Sequence, residues 1–453
     1  MGFVKQPSDP SGGTQQVSEE SIVGKAGKFK ISFRDVTLSN HAGLVLLQDF
    51  VEGLGVGELL DEELKVKQRE RGHQESEAVL GLSYNLIAGG GCLLDLNVLR
   101  GDVGTQQVIG LERVLAPSTA GEFLRKFDIG DIYDLNRFHQ RLQERMRPQQ
   151  DLECCTLDVD SSIYEQASTR KQGSSKAYNG QIGYHPFFAF WYEAGELVFS
   201  HLRRGNAHTS RKAEWCLSQT YKRLPATLPK KLRSDSGFYD HKIISWCEQR
   251  QITFGITADQ TTPVKAMLLA IQEKEWRDLI RYDLAQVAEF RYQPHGWSRS
   301  YRYIAKRELR QDKHGSLYFH YHLFVTNDEL TLSKDLLAWH LQHADMENLI
   351  KEHKHGFDLE KLPTASFHAN WAYLLIGQLA FNLVAWFKKL ILPTQYHRAT
   401  LKTIQHQLFN VAGKIVHSAR QFFLVISSEY RYQDVWHFAL NKLAQFKNST
   451  PYP

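Results

Sequence analysis

The strongest constraint on the fold is a change of period at Cys154. From Asn40 to Met146, apolar residues recur at helical spacing: Leu44, Leu47, Phe50 and Val51, then Val79, Leu80, Leu82 and Leu86. Pro117 before Ser118, with Glu122, Phe123 and Leu124 after it, marks another helix start. Beyond Cys154, the run Thr156-Leu157-Asp158-Val159-Asp160 alternates with the two-residue period of a strand. Residues 183–190 and 197–202 read as two more strands, joined through the turn Glu193-Ala194-Gly195-Glu196. A helix is expected over 210–222, and short strands over 231–234 and 252–257. Strand, hairpin, helix and strand, with another helix much later, is the order of an α/β core interrupted by an insertion.

The interruption, 258–330, is rich in aromatic and β-branched runs at 288–292, 300–305 and 317–326. Residues 331–356 return to helical spacing, 365–392 are strongly helical, and 398–447 read as helical and basic. The expected division is a flexible tail (1–28), a helical region (29–150), a core in two pieces (151–257 and 331–392), a β-rich insertion (258–330) and a helical basic C-terminal region (393–453). A chain of 453 residues suits two to four domains, or one domain with large insertions. The most apolar stretch, 371–392, is interrupted by Gln378, Asn382, Lys388 and Lys389, which favours a buried helix over a membrane span. Residues 1–23 lack the apolar centre of a signal peptide, and no membrane partner is expected.

Composition excludes little. Lys and Arg exceed Asp and Glu by 55 − 50 = 5, so clustering rather than net charge must decide a nucleic-acid partner. The five cysteines (Cys92, Cys154, Cys155, Cys216 and Cys247) contain no Cys-x-x-Cys. This argues against a disulfide framework or a cysteine zinc site and fits a reducing cytosol.

Three acids stand out. Asp160 closes the first strand, Asp235 closes the strand in Leu232-Arg233-Ser234-Asp235, and Glu347 lies in a helix. Neighbouring strands can finish side by side and bring two aspartates together, while a helix packed on the sheet delivers a third carboxylate. Such hard oxygens suit Mg²⁺, and two ions can activate an attacking oxygen and stabilise a leaving one. Asp158 competes with Asp160 because residues i and i+2 share a strand face; Asp160, nearer the strand end, is preferred. Each aspartate alone also suits a plain turn or cap. Around Glu347, the residues His340, His343, Lys351 and Lys354 sit at −7, −4, +4 and +7, one face of a continuous helix. That face fits an acid on metal with bases on phosphate. A solvated face with a Glu–Lys pair, or a zinc set of His340, His343 and Glu347, uses the same spacing.

Together these segments resemble the DDE transposases of bacterial insertion sequences, in the group whose last acid lies in Tyr-x2-Arg-x3-Glu-x6-Lys. Here the register reads His340-x2-His343-x3-Glu347-x6-Lys354, with His at the Tyr and Arg positions. Leu157-Asp158-Val159-Asp160-Ser161-Ser162 is similar to the family's first-aspartate strand, and Arg233-Ser234-Asp235-Ser236-Gly237-Phe238 to its second. Gly183-Tyr184-His185-Pro186 and Arg204-Gly205-Asn206-Ala207-His208 resemble the hairpin and turn between them. Asp345-Met346-Glu347-Asn348-Leu349-Ile350-Lys351-Glu352, followed by Gly356-Phe357, is similar to the glutamate helix.

The resemblance implies an RNase H-like mixed-sheet core holding two Mg²⁺ ions, with Mn²⁺ as a substitute, on Asp160, Asp235 and Glu347. It also implies cutting and joining of DNA, with phosphate held by Lys354 and Lys351. The expected partners are double-stranded transposon ends and target DNA, with a homodimer on two ends. The expected location is the nucleoid of a bacterial cytoplasm. Two rival readings remain: a metal nuclease without strand transfer, and a silent DNA-binding descendant.

For the DNA path, residues 200–233 carry Arg203, Arg204, Arg211, Lys212, Lys222, Arg223, Lys230, Lys231 and Arg233 against Glu214 alone. Arg170, Lys171 and Lys176 lie near Asp160 in sequence. Such clustering beside acids suits phosphate positioning, and also a solvated basic face. Trp297-Ser298-Arg299-Ser300-Tyr301-Arg302-Tyr303 interleaves aromatics with arginines, as base stacking requires and as a packed strand face also allows. Trp297 is the candidate for a displaced base. Lys65, Lys67, Arg69 and Arg71 are candidates for reading the ends, with Arg398, Lys402, Lys414 and Arg420 adding contacts.

Overall fold

A computed structural model describes residues 22–26, 28–32, 36–67, 72–279 and 284–449. Most of the expected tail, together with Arg69 and Arg71, lies outside the described residues. Nine strands form one mixed sheet: β1 (Cys155–Ser161), β2 (Phe187–Trp191), β3 (Glu196–His201), β4 (Lys230–Ser234), β5 (Thr253–Thr257), β6 (Arg277–Asp278), β7 (Ala285–Tyr292), β8 (Tyr301–Gln311) and β9 (Leu317–Thr326). Their order is β6-β7-β8-β9-β5-β4-β1-β2-β3. The centre, β5-β4-β1, is parallel, and every other pairing is antiparallel.

Among the described residues, the segment 258–330 therefore has no sheet of its own. Its strands extend the central one, because β9 pairs antiparallel with β5 through Gly255↔Thr326 and Ile256↔Val325. Elsewhere, the expected helical C-terminal region includes a hairpin, Gly413–Ser418 with Gln421–Val425, whose first strand pairs with Leu38–Ser39. The period over 398–447 is mixed because that hairpin precedes the final helix, Gln433–Ser449.

The sheet is buried on both faces where β2 crosses it. Phe187, Ala189 and Trp191 join one apolar core with helices Ala213–Tyr221 and His241–Gln249, while Phe188 and Phe190 join the other. This second core holds the N-terminal helices and helix Phe367–Leu390, which starts from a Ser366 cap whose side chain accepts the Ala369 N–H. That helix is buried nearly all round, as a core helix is. Among the described residues no single helix is long and apolar enough to cross a membrane; one pair bent by 97°, Glu75–Ala88 with Leu93–Gly101, passes by composition.

The polar residues that interrupt the apolar helix close an edge of the sheet. Strand β3 has a neighbour on one side only, so its outward backbone groups need other partners. Asn382 accepts from the Leu197 N–H at 2.9 Å and donates to the Leu197 carbonyl at 2.9 Å. Gln378 donates to the same carbonyl at 3.0 Å and accepts from Ser200 Oγ at 2.8 Å. Substituting Asn382→Ala leaves a buried backbone N–H without its partner. The expected loss is about 1–3 kcal/mol of stability, read as a lower urea midpoint by circular dichroism. An unchanged midpoint would show that the helix holds this edge by apolar packing alone.

Candidate active site

The register of the central strands places the acids. Across the β1–β2 ladder, Asp158 lies opposite Phe190 and Asp160 opposite Phe188, so both carboxylates leave the face that carries these phenylalanines. Across the parallel ladder, Arg233 lies beside Asp158. Asp235 follows two residues on, beyond the end of β4, and its carboxylate accepts from the Gly237 N–H at 3.1 Å. Helix Ala344–Lys351 packs on the same face through Met346 and Ile350, which join the core of Phe188 and Phe190. Glu347, in its first turn, is exposed.

The two strand aspartates have opposite environments. Asp158 is buried and bidentate on Arg233, at 2.8 Å from Nε and 2.7 Å from Nη2. His343 Nδ1 approaches its Oδ1 at 2.9 Å. Arg233, itself fully buried, also donates to the Trp339 carbonyl and to Gln342 Oε1, and lies between the Tyr192 and Trp339 rings. Asp158 is thus satisfied by protein groups. Asp160, only partly buried at the strand end, accepts one backbone bond, from its neighbour Ser161 at 2.6 Å. Burial first, then Asp235 and, more weakly, Glu347 push its pKa up to about 7. The pKa of Asp235 is also raised, by burial and by Asp259, with His343 opposing. Among the described residues neither Asp160, Asp235 nor Glu347 makes an ion pair.

The charges of Asp235 and Glu347 both reach Asp160, and such repulsion is what a divalent cation relieves. The donor set fits such an ion in its chemistry, although among the described residues no three of His, Cys, Asp or Glu stand at metal-holding distances. The histidines are committed elsewhere. His340 is buried, stacked on Phe324 at 4.2 Å, and its Nε2 meets Thr257 Oγ1 at 3.1 Å. Burial holds its pKa well below the usual histidine range, so it carries no charge for phosphate. The expected single helical face does not form: helix Ser333–Leu341 ends before His343, and Lys354 lies in the wide turn Glu352–Gly356 beyond the next helix. Lys351 is exposed; Lys354 pairs with Glu360 at 2.7 Å.

The sequence reading missed Arg233 as the partner of Asp158, and Asp259 beside Asp235. A signal for the first was present: Asp158-x-Asp160 and Arg233-x-Asp235 share one spacing, which offers Asp158 a basic partner on the neighbouring strand.

The family described as Transposase DDE domain group 1 matches residues 22–448. The chain belongs to this family of DDE transposases. A solved structure, the piggyBac transposase synaptic complex with hairpin DNA, is 10% identical, with a TM-score of 0.42 over 92% of this chain and 83% of that one. A likeness that low carries no argument. Among curated proteins none matches.

In this transposase the basic candidates divide by burial. Arg203 is only 5% exposed and donates to the carbonyls of His185, Thr209 and Arg211, so its guanidinium is taken up by the loop after β3. Arg302 is likewise internal, bound to Glu289, the Asp328 and Thr331 carbonyls and Ser333. Both were expected on phosphate; short strands turned by tight loops need their carbonyls capped, and these guanidinium groups supply the donors. Arg204, Arg211 and Lys212 are exposed. Arg299 is exposed and paired with Glu248 over the Tyr301 ring. Trp297 is half-buried against Tyr239 at 5.2 Å, Tyr301 at 5.5 Å and His241 at 5.8 Å, a packed ring rather than an open platform.

Asp158→Asn and Asp160→Asn should move stability in opposite directions at pH 8. The first leaves Arg233 buried without its counter-charge, a loss of roughly 3–5 kcal/mol. Asp160 has a raised folded pKa, so its ionisation opposes folding: stability is highest below the unfolded value and falls as pH rises toward about 7. Asp160→Asn removes that fall and raises the melting temperature at pH 8 relative to the parent. Thermal unfolding at pH 5 and pH 8 checks both; equal effects of the two variants would contradict the assignment.

Proposed function

We propose that this transposase binds the terminal inverted repeats of a bacterial insertion sequence, cleaves the DNA there and joins the 3′ ends to target DNA. Asp160, Asp235 and Glu347 are the ligands of two Mg²⁺ ions, with Mn²⁺ as a substitute. One observation carries the reading. Asp160, its pKa raised by burial and by the charges of Asp235 and Glu347, makes no ion pair among the described residues, while the neighbouring Asp158 is fully paired. This contrast between a satisfied acid and a repelled one supports Asp160, Asp235 and Glu347 as the set for a cation.

Bound divalent ions would supply Lewis-acid activation of the attacking oxygen and stabilisation of the leaving 3′ oxygen. The chain's own residues do the rest. The Arg233–Asp158 pair sets the height of β4 against β1 and so the separation of Asp160 from Asp235. His343, bonded to Asp158, faces both acids and lowers their repulsion. Arg204, Arg211 and Lys212 hold backbone phosphate beside them, and Lys351 extends the contact on the Glu347 helix. In this reading the sheet centre with its two layers of helices is an RNase H-like core, and 258–330 is the insertion. Two chains pair when two ends are bound, in the nucleoid of the cell.

The test uses duplex DNA carrying the inverted repeats that flank the gene, with target plasmid and Mg²⁺. The parent should cleave and join, while Asp160→Asn and Asp235→Asn abolish cleavage and retain end binding. Cleavage without joining would reduce the function to a nuclease, and binding without cleavage to a DNA-binding protein. Normal cleavage by either variant would remove the metal assignment.

Salt dependence tests the DNA path separately. The logarithm of end affinity should fall with the logarithm of salt by about 0.9 for each phosphate neutralised. Replacing Arg204, Arg211 and Lys212 together by Gln should flatten that slope, measured by fluorescence anisotropy. An unchanged slope on a folded variant would move the path elsewhere.

A further inference from the structure

The parallel ladder between β4 and β1 stops just short of the acids. Its last pair is Ser234↔Val159, so Asp160 and Asp235 each stand one residue beyond it. The ladder sets the height of the two strands, and the turns beyond it set where the carboxylates stand. Each acid accepts from a backbone N–H that follows it, Asp160 from Ser161 at 2.6 Å and Asp235 from Gly237 at 3.1 Å.

One side chain, Thr209, meets both of these donors' residues. Ser161 Oγ donates to Thr209 Oγ1 at 3.3 Å. On its other side Thr209 packs on Gly237, where an added Cβ would stand 2.9 Å from Thr209 Cγ2, 3.1 Å from Thr209 Cβ and 3.2 Å from Asp235 Oδ1. Gly237 does not have the left-handed φ that favours glycine, so close approach alone requires it. The Thr209 hydroxyl and methyl turn on one torsion, about which a β-branched side chain is stiff. Moving the methyl off Gly237 therefore takes the hydroxyl off Ser161.

Thr209 is itself held from behind. The buried Arg203 donates from Nη1 to the Thr209 carbonyl at 2.8 Å and from Nε to the His185 carbonyl at 2.8 Å. The His185 N–H returns a bond to the Arg203 carbonyl at 3.1 Å, and Pro186, the next residue, accepts from the Ser162 N–H at 3.3 Å. One guanidinium thus ties the loop after β3 to the start of β2 and the end of β1.

We infer, on the reading of Asp160 and Asp235 as metal ligands, that Thr209 is a positioning residue that spaces these two acids for divalent ions, with Arg203 as its anchor. A ligand set tolerates displacements of only about 0.5 Å. A methyl group at Gly237 would force a shift on that order on Thr209 or on Asp235.

The test measures Mn²⁺ uptake by the full chain without DNA, from the electron paramagnetic resonance of the free ion. Thr209→Val keeps the branched shape and removes the hydroxyl, and Gly237→Ala adds the Cβ. Each should weaken Mn²⁺ binding about tenfold, with a urea midpoint close to the parent's. Thr209→Ser keeps the hydroxyl and removes Cγ2, the atom nearest the new Cβ. Alone it should bind as the parent does, and combined with Gly237→Ala it should restore most of the lost affinity. Cleavage of the flanking inverted repeats gives a second reading. In Thr209→Val it should recover when Mg²⁺ is raised about tenfold, because the ligands are present but misplaced, whereas Asp160→Asn stays inactive. Parent-like Mn²⁺ binding by folded Thr209→Val and Gly237→Ala overturns the inference, as does a loss that only follows a lowered urea midpoint. If Thr209→Val fails to fold, Gly237→Ala with and without Thr209→Ser decides. Uptake lost in Asp160→Asn and Asp235→Asn but kept in the Thr209 and Gly237 variants sinks the spacing role alone. Parent-like uptake in both aspartate variants sinks the metal reading, and a parent that takes up no Mn²⁺ removes both.

Discussion

The ion pair between Arg233 and Asp158 is the constraint on which the centre of the molecule depends. Both side chains are buried, and a bidentate pair satisfies both carboxylate oxygens at once. Removing either partner would strand a charge in the core, whereas an apolar pair of equal volume would often be as stable. Its value is therefore geometric. It locks β4 against β1 in one register, with Trp339, Tyr192 and Gln342 closing around the guanidinium. Asp160 and Asp235 then emerge two residues further along each strand, on the same face. A slip of β4 by one residue would turn Arg233 and Asp235 away from the face that carries Asp158 and Asp160.

Around that centre the fold handles its polar groups by capping rather than by exposure. The apolar helix Phe367–Leu390 carries Gln378 and Asn382 because the edge strand β3 needs partners for its backbone. Arg203 closes the turn after β3, and Arg302 closes the loop after β9. Each of these residues looks, in one dimension, like a blemish in an apolar run or a charge for a ligand. Each is in fact the donor that lets an irregular backbone be buried. Arg204, Arg211 and Lys212 remain exposed, and Asp160 and Asp235 remain unpaired by cations, among the described residues, where their strands end.

The sequence alone determined the period change at Cys154, the strands at 156–160 and 252–257 and the long buried helix, all of which read from local spacing, and it singled out three acids as candidates. Local spacing is sufficient there because a strand alternates and a helix repeats whatever lies across from it. It preferred Asp160 over Asp158 only by position, since both occupy one strand face; their different environments come from Arg233, 75 residues from Asp158 and brought alongside by the parallel ladder. Nor could it see that the helix through His340 and Glu347 breaks, that 258–330 extends the central sheet, or that Arg203, Arg223, Arg233 and Arg302 are buried. Those outcomes depend on which strand edges meet and which backbone groups are left unpaired when they do. That is a property of pairings far apart in the chain, and only the tertiary structure decides it.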